Sequence, residues 1–101
     1  MGYYESVDQT AVINTPSVQT SSTALALNLA RKGWMIQNQG TNALRVCLGG
    51  TASGTVYHVV LKGCTGAADG TGGSISQMSG IVYTGAITVD GTSPSYTVME
   101  L

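Results

Sequence analysis

His58 is the only histidine in this chain, and so the only side chain that could act as a general base at neutral pH. Catalysis by a histidine needs a nucleophile beside it and a carboxylate that orients the ring. The acids are spread along the sequence, at Glu5, Asp8, Asp69, Asp90 and Glu100. No motif joins any of them to His58. The sequence therefore predicts a protein that is not an enzyme, with no catalytic residues, in which His58 is a packed or hydrogen-bonded strand residue.

Two further patterns could do chemistry, and neither is complete. Cys47 and Cys64 form no CxxC pair and no cluster with histidine, so we expect no zinc site and favour two reduced thiols over a disulfide. The DGTGG segment, residues 69–73, resembles a phosphate-binding loop but lacks the GK[ST] ending and a following helix. We interpret it as a surface turn, or as a loop that becomes ordered at a subunit contact. No metal and no cofactor are predicted.

Two cations, Arg31 and Lys32, stand immediately before the only tryptophan, Trp34. In one interpretation they bond exposed carbonyls at a strand end, or reach a carboxylate such as Glu100 on an adjacent strand. In the other they form a salt bridge to an acidic partner subunit, where the planar fork of arginine gives bidentate geometry. The sequence leaves both interpretations open.

The chain is unusually poor in charge, and this limits its partners. Charged residues make up 9% of its 101 residues, against about 25% in a typical soluble domain. The net charge of −1 and the scattered cations give no basic surface for nucleic acid. No apolar run is long enough to span a membrane, and no secretory signal is expected at the N-terminus. A surface with so few charges suits a protein that is covered within an assembly.

Short alternating runs bounded by Gly, Asn, Asp and Pro recur along the chain, which is typical of an all-β protein. We predict a single-domain antiparallel β-sandwich or jelly-roll-like barrel over residues 24–101. Residues 1–23 are rich in Ser, Thr and Gln and contain Pro16, and we interpret them as an extended N-terminal arm. A locally folded edge strand is the alternative for this segment.

Two neighbouring segments are predicted to form a hairpin. GWMIQN, residues 33–38, and ALRVCL, residues 43–48, are joined by QGTNA, whose Gly and Asn suit a tight turn. Alternation places Arg45 and Cys47 on the outer face. The residues predicted to point inward are Trp34, Ile36, Asn38, Leu44, Val46 and Leu48.

Other strands are predicted on both sides of this hairpin. TALALNL, residues 23–29, places its three leucines, Leu25, Leu27 and Leu29, on one face, and TVYHVVLK, residues 55–62, is expected to be covered on both faces. GIVYTGAITV and SYTVMEL close the chain, with the turn DGTSP between them. The glycine-rich segment 62–80 is expected to lie on the surface, pinned by neighbours or by a partner.

The order of motifs along residues 30–101 resembles small virion proteins of tailed bacteriophages, of the capsid decoration (cement) type. The resemblance rests on RKGWMIQNQGTNALRV, followed by HVVLKG, DGTGG, YTGAITV and a terminal YTVMEL. It implies a β-sandwich on the outer surface of an icosahedral head, often a homotrimer, that clamps adjacent major capsid subunits. Transferred to this chain, Arg31, Trp34, Ile36 and Asn38 would be the structural signature of the hairpin, and Glu100 that of the last strand.

The expected function is therefore structural: decoration and stabilisation of a capsid, with the major capsid protein and copies of this chain as partners. A role at the head-to-tail junction or in the tail is the first alternative. The second is a carbohydrate-binding module, because exposed aromatic rings such as Tyr3, Tyr4 or Tyr96 could stack on sugars. The candidate interface or structural residues are Arg31, Lys32, Trp34, Asn38, Tyr3, Tyr4 and Glu100.

Overall fold

The computed structural model describes residues 17–101, and all regular structure in this range is β-strand. The strands are β1 (Thr23–Leu25), β2 (Trp34–Asn38), β3 (Leu44–Leu48), β4 (Val59–Leu61), β5 (Ser74–Gln77), β6 (Ile87–Asp90) and β7 (Tyr96–Glu100). They form two antiparallel sheets, one of four strands in the order β1-β6-β3-β4 and one of three in the order β5-β2-β7. The prediction of an all-β, sandwich-like fold is confirmed.

The hydrophobic core lies between the two sheets. Strand β2 alternates between buried and half-buried residues, with Trp34, Ile36 and Asn38 buried as predicted. The fully or nearly fully buried apolar members of the core are Leu25, Trp34, Ile36, Leu44, Val46, Leu61, Ile87, Val89 and Tyr96. Burying each large side chain of this kind contributes about 1.5–3 kcal/mol. These residues come from six of the seven strands, so the core depends on both sheets being formed.

The predicted hairpin between β2 and β3 is wrong. Strand β2 pairs with β5 and β7, whereas β3 pairs with β4 and β6. Residues 39–43 therefore connect the two sheets instead of folding one strand back onto the other. Asp90–Pro94, the other predicted turn, likewise connects β6 in one sheet to β7 in the other.

Several strands are shorter than predicted, because only part of each predicted segment belongs to a sheet. Strand β1 ends at Leu25, so Leu27 and Leu29 do not share its buried face and are exposed. Strand β4 begins only at Val59, and Val60 on its outer face is exposed, so this strand is not covered on both sides. Ile81 likewise lies outside β6 and is almost fully exposed.

The last residues of the predicted arm lie against the folded domain. Gln19 forms an isolated antiparallel bridge with Tyr96, through backbone hydrogen bonds of 2.7 and 3.1 Å. The Tyr96 hydroxyl donates to the carbonyl of Ser21 at 2.7 Å, and the amide of Val89 donates to Ser22 at 2.8 Å. This short segment thus connects the edges of the two sheets. Tyr3 and Tyr4 lie outside the described residues.

The Tyr96 contact makes the fold sensitive to alkaline pH. Burial raises the pKa of the Tyr96 phenol above its usual value of 10.0. The folded state therefore favours the neutral phenol. The stability that the buried neutral phenol contributes is complete below about pH 10 and is lost as the pH rises through the raised pKa. We expect the free energy of unfolding of the wild type, measured in urea between pH 8 and 11.5, to fall more steeply than that of Tyr96→Phe. Tyr57→Phe, at a part-exposed ring, should follow the wild-type curve, and identical slopes for all three proteins would contradict the prediction.

Candidate interaction surface

Arg31 is a buried brace inside the chain. Its Nε donates to Oε2 of Glu100 at 2.6 Å. Its Nη1 donates to the carbonyls of Tyr83 and Gly85, both at 2.9 Å, and its Nη2 donates to that of Ala26 at 2.7 Å. The guanidinium therefore holds one carboxylate on β7 and three backbone carbonyls from two loops. Such a set of bonds satisfies the buried charge as well as the buried oxygens.

The structure decides between the two interpretations of the cations. Arg31 is 4% exposed and bonded within its own chain, so it is not available for a salt bridge to another subunit, and that alternative is wrong for this residue. Lys32 is exposed, and its backbone amide donates to the carbonyl of Leu101 at 2.7 Å. Of the two neighbouring cations, only Lys32 has a side chain that faces solvent.

Trp34 and Asn38 are also structural residues. The indole Nε1 of Trp34 donates to Oε1 of Gln77 at 2.9 Å, and the same oxygen accepts the amide of Tyr83 at 2.9 Å. Every buried side-chain nitrogen and oxygen within residues 17–101 has a hydrogen-bond partner. Neither residue is placed at the surface.

Asn38 closes the opposite end of β2. Its Nδ2 lies 2.8 Å from the carbonyl oxygen of Asn42 and 3.1 Å from those of Leu61 and Lys62, while its Oδ1 accepts the amide of Gly40 at 3.0 Å. One amide side chain thus fixes the connection between the sheets to the end of β4. The contact to the carbonyl of Leu61 is buried, and Asn38 supplies a donor there.

The glycine-rich loop is ordered by hydrogen bonds within it and by hydrogen bonds to residues 38–40. Asp69 accepts hydrogen bonds from the amide and hydroxyl of Thr71, at 2.9 and 2.6 Å, and from the amide of Gly66 at 2.8 Å. The hydroxyl of Thr71 is the first cause of a lowered pKa for the Asp69 carboxyl, followed by the backbone amide of the same residue. Strand β5, not a helix, follows the loop. Neighbouring residues also pin the loop, as expected: the amides of Cys64 and Ala68 donate to the carbonyls of Gly40 and Gln39, both at 2.7 Å.

The outer face of the four-stranded sheet carries a small polar and aromatic group. Arg45 lies between Val60 and Asp90 on neighbouring strands. Its guanidinium is 3.8 Å from the Asp90 carboxylate and 5.7 Å from the centre of the Tyr57 ring. At these part-exposed positions both interactions contribute on the order of 1 kcal/mol or less.

His58 and the cysteines have local roles. His58 is exposed just before β4, and its Nδ1 accepts the amide of Leu48 at 3.0 Å, so it is hydrogen-bonded as predicted but lies outside the strand. Cys47 and Cys64 are free, as expected, and both are buried. Cys47, predicted to point outward, is covered by the turn that follows β3, with its Sγ 3.0 Å from the carbonyl oxygen of Gly49.

The most exposed large apolar side chains of the described residues occur on the two loops that Arg31 holds. The three most exposed are Ile81 (94%), Leu29 (80%) and Leu27 (64%), and Met78 (41%) lies on the same loop as Ile81. The loops lie side by side, because the amide of Asn28 donates to the carbonyl of Thr84 at 2.9 Å. We call these four side chains the apolar end. Sequence reasoning missed it because it assigned Leu27, Leu29 and Ile81 to strands.

Of the aromatic residues proposed for sugar stacking, Tyr96 is fully buried. This removes it from any ligand-binding face, and a wall of exposed rings is not found among residues 17–101. Within the same range, no group of three or more His, Cys, Asp and Glu side chains could hold a metal ion. No helix in the described part of the chain has the length and apolar character needed to cross a bilayer.

Comparison with known proteins gives no match. No protein-family model, no curated protein and no solved structure is significantly similar to this chain.

Proposed function

We propose that this protein is a structural component of a tailed-phage virion, which decorates the outer surface of the capsid and stabilises it by binding major capsid subunits. The observation that carries the proposal is the apolar end, where Leu27, Leu29, Met78 and Ile81 are exposed on two braced loops. Strongly exposed apolar side chains on adjacent loops of a small domain favour a surface that another protein covers.

The distribution of charge supports the same function. Seven charged residues lie within residues 17–101. Arg31 and Glu100 are buried against each other, and Arg45 is close to Asp90. The exterior is therefore mostly neutral and polar, so it can be buried against other subunits without the cost of dehydrating ions.

The brace behind the apolar end supports a binding role over a catalytic one. Arg31 fixes both loops to β7 through four hydrogen bonds. A surface that is already ordered loses less conformational entropy on binding, so more of the interface energy appears as affinity. Repetition over a symmetric shell then multiplies weak contacts into firm attachment.

The test uses empty capsids of the phage, prepared without this protein. We expect the purified protein to bind these shells and to raise the temperature at which they break. Ile81→Ser and Leu29→Ser should weaken binding at least about tenfold, which corresponds to about 1.4 kcal/mol, while each variant keeps its fold because the side chains are exposed.

The matched control is Val56→Ser, because Val56 is half exposed but belongs to the segment before β4. This variant should bind like the wild type. Failure of the wild type to bind shells would overturn the proposal. Binding to isolated tails or head-to-tail connectors instead of shells would assign the protein to the alternative virion role.

A further inference from the structure

Strand β7 has an open edge. It is the outer strand of the three-stranded sheet, paired with β2 on one side over its full length. On its other side, the only described partner is the single bridge from Gln19 to Tyr96. Because both the amide and the carbonyl of Tyr96 bond to Gln19, these two groups point away from β2.

The backbone groups of the residues after Tyr96 alternate in direction along β7. In an antiparallel pair, every second residue directs its amide and carbonyl toward the partner strand. Since Tyr96 points away from β2, Val98 and Glu100 do so as well, and they have no backbone partner among residues 17–101. Four backbone hydrogen-bonding groups thus lie along one edge, two on the half-buried Val98 and two on Glu100, which is 7% exposed.

The described part of the arm does not cover this edge. Extension of the Gln19–Tyr96 register would place Ser17 opposite Val98. Instead, the carbonyl and hydroxyl of Ser17 accept the side-chain amide of Gln19, at 3.1 and 3.3 Å, and the chain bends at Ser17. The described residues of the arm therefore pair with β7 at Tyr96 and not at Val98.

The other three edges are less suitable for a new strand. Strands β1 and β4 have three residues each, and the pairing of β1 is irregular. Strand β5 has four residues, and β7 has five. Natural sheets protect open edges with charges, prolines or bulges. Strand β7 has only Glu100, whose carboxylate is directed into the molecule toward Arg31.

We propose that residues 7–15 of a second copy of this chain add to the open edge of β7 as an antiparallel strand. This segment, VDQTAVINT, is rich in β-branched residues, contains no glycine or proline and has one charge. Its nine residues extend to about 30 Å, more than the five residues of β7 require. Strand addition gives backbone hydrogen bonds without demanding charged partners. The inference goes beyond the proposed function, because it names a contact that joins copies of this chain to each other.

The test measures amide hydrogen exchange in mixed samples of full-length chains. The acceptor is a ¹⁵N-labelled double variant, Val12→Pro with Ile13→Pro. One of the two adjacent residues must direct its backbone amide toward β7, and proline has no amide hydrogen to donate. The acceptor's own segment therefore cannot pair with the edge. The donor is unlabelled wild type. We expect the amides of Val98 and Glu100 in the acceptor to exchange at least about tenfold more slowly after the donor is added.

Two comparisons make the result decisive. An unlabelled Glu5→Pro donor, changed just before the segment, should protect these amides like the wild type, and an unlabelled Val12→Pro/Ile13→Pro donor should not. The amides of Thr97 and Met99, which point toward β2, should be protected in every sample and report that the acceptor is folded.

Absence of protection by the wild-type donor would overturn the inference, as would equal protection by the proline-containing donor. Protection of Val98 and Glu100 in the acceptor alone would also overturn it, because another part of the same chain would then cover the edge. A failure here is distinguishable from failure of the proposed function, because binding of empty capsids through the apolar end is measured separately.

Discussion

Replacing Arg31 with alanine is expected to destabilise the fold by about 3–5 kcal/mol, the usual cost of removing one partner of a buried ion pair. The change would leave the Glu100 carboxylate buried without its cation. It would also remove the donors that Tyr83, Gly85 and Ala26 use. Since small domains have total stabilities of about 5–15 kcal/mol, this loss is a large share of the free energy of unfolding. Urea denaturation followed by tryptophan fluorescence measures this directly.

Lys32→Ala is the matched control, because the neighbouring cation is exposed. It should change the stability by no more than about 0.5 kcal/mol. Arg31→Lys should fall between the two, since lysine keeps the charge but lacks the planar fork that reaches both loops. Equal stability of Arg31→Ala and Lys32→Ala would show that the guanidinium does not brace the fold.

Gly72→Ala is expected to destabilise the fold by about 3 kcal/mol or more. A Cβ on Gly72 would overlap the carbonyl oxygen of Asn38 and would approach Sγ of Cys64 to 2.9 Å. Because Asn38 is buried and hydrogen-bonded to the connection between the sheets, neither the loop nor β2 can move aside cheaply. The measurement is again the free energy of unfolding in urea.

Gly54→Ala provides the comparison, because nothing lies within 4 Å of an added Cβ at Gly54. Restricting the unfolded chain should make this variant neutral or more stable by up to about 1 kcal/mol. If Gly72→Ala proved as stable as Gly54→Ala, the glycine-rich loop would not be packed against β2 as described.

Local alternation was sufficient to predict the inner strands. In β2, Trp34, Ile36 and Asn38 occupy every second position, and all three are buried. The buried residues of an antiparallel strand follow this period directly, so the pattern of one segment defines its inner face. The overall class, two antiparallel sheets around one core, follows from several such segments in a chain without helical periodicity.

Pairing between strands could not be predicted in the same way. Residues 39–43 have the composition of a hairpin turn, but turn chemistry specifies only that the chain reverses. Whether the next strand joins the same sheet or the opposite one depends on contacts made much later in the sequence, such as the pairing of β2 with β7. Strand β5 was not predicted, for another reason. Its sequence, SISQ, is short and polar and lies within a segment rich in glycine.

The apolar end was also outside the reach of local patterns. The spacing of Leu25, Leu27 and Leu29 is that of a strand, but the side chain of Asn28 accepts the amide of Ala30 at 3.0 Å and stabilises a turn instead. Arg31 then holds that turn in place through Glu100. Because this carboxylate is distant in sequence, the sequence offered the ion pair only as one of two alternatives.

The separation of these partners has a kinetic consequence. Arg31 and Glu100 are 69 residues apart, and β1 and β2 pair with β6 and β7 from the opposite end of the described chain. In domains dominated by such distant contacts, the chain loses the entropy of closing long loops before the stabilising contacts form. Such domains fold on the order of milliseconds to seconds. During that interval the β-branched segments of newly made chains are unpaired, which favours aggregation at high protein concentration.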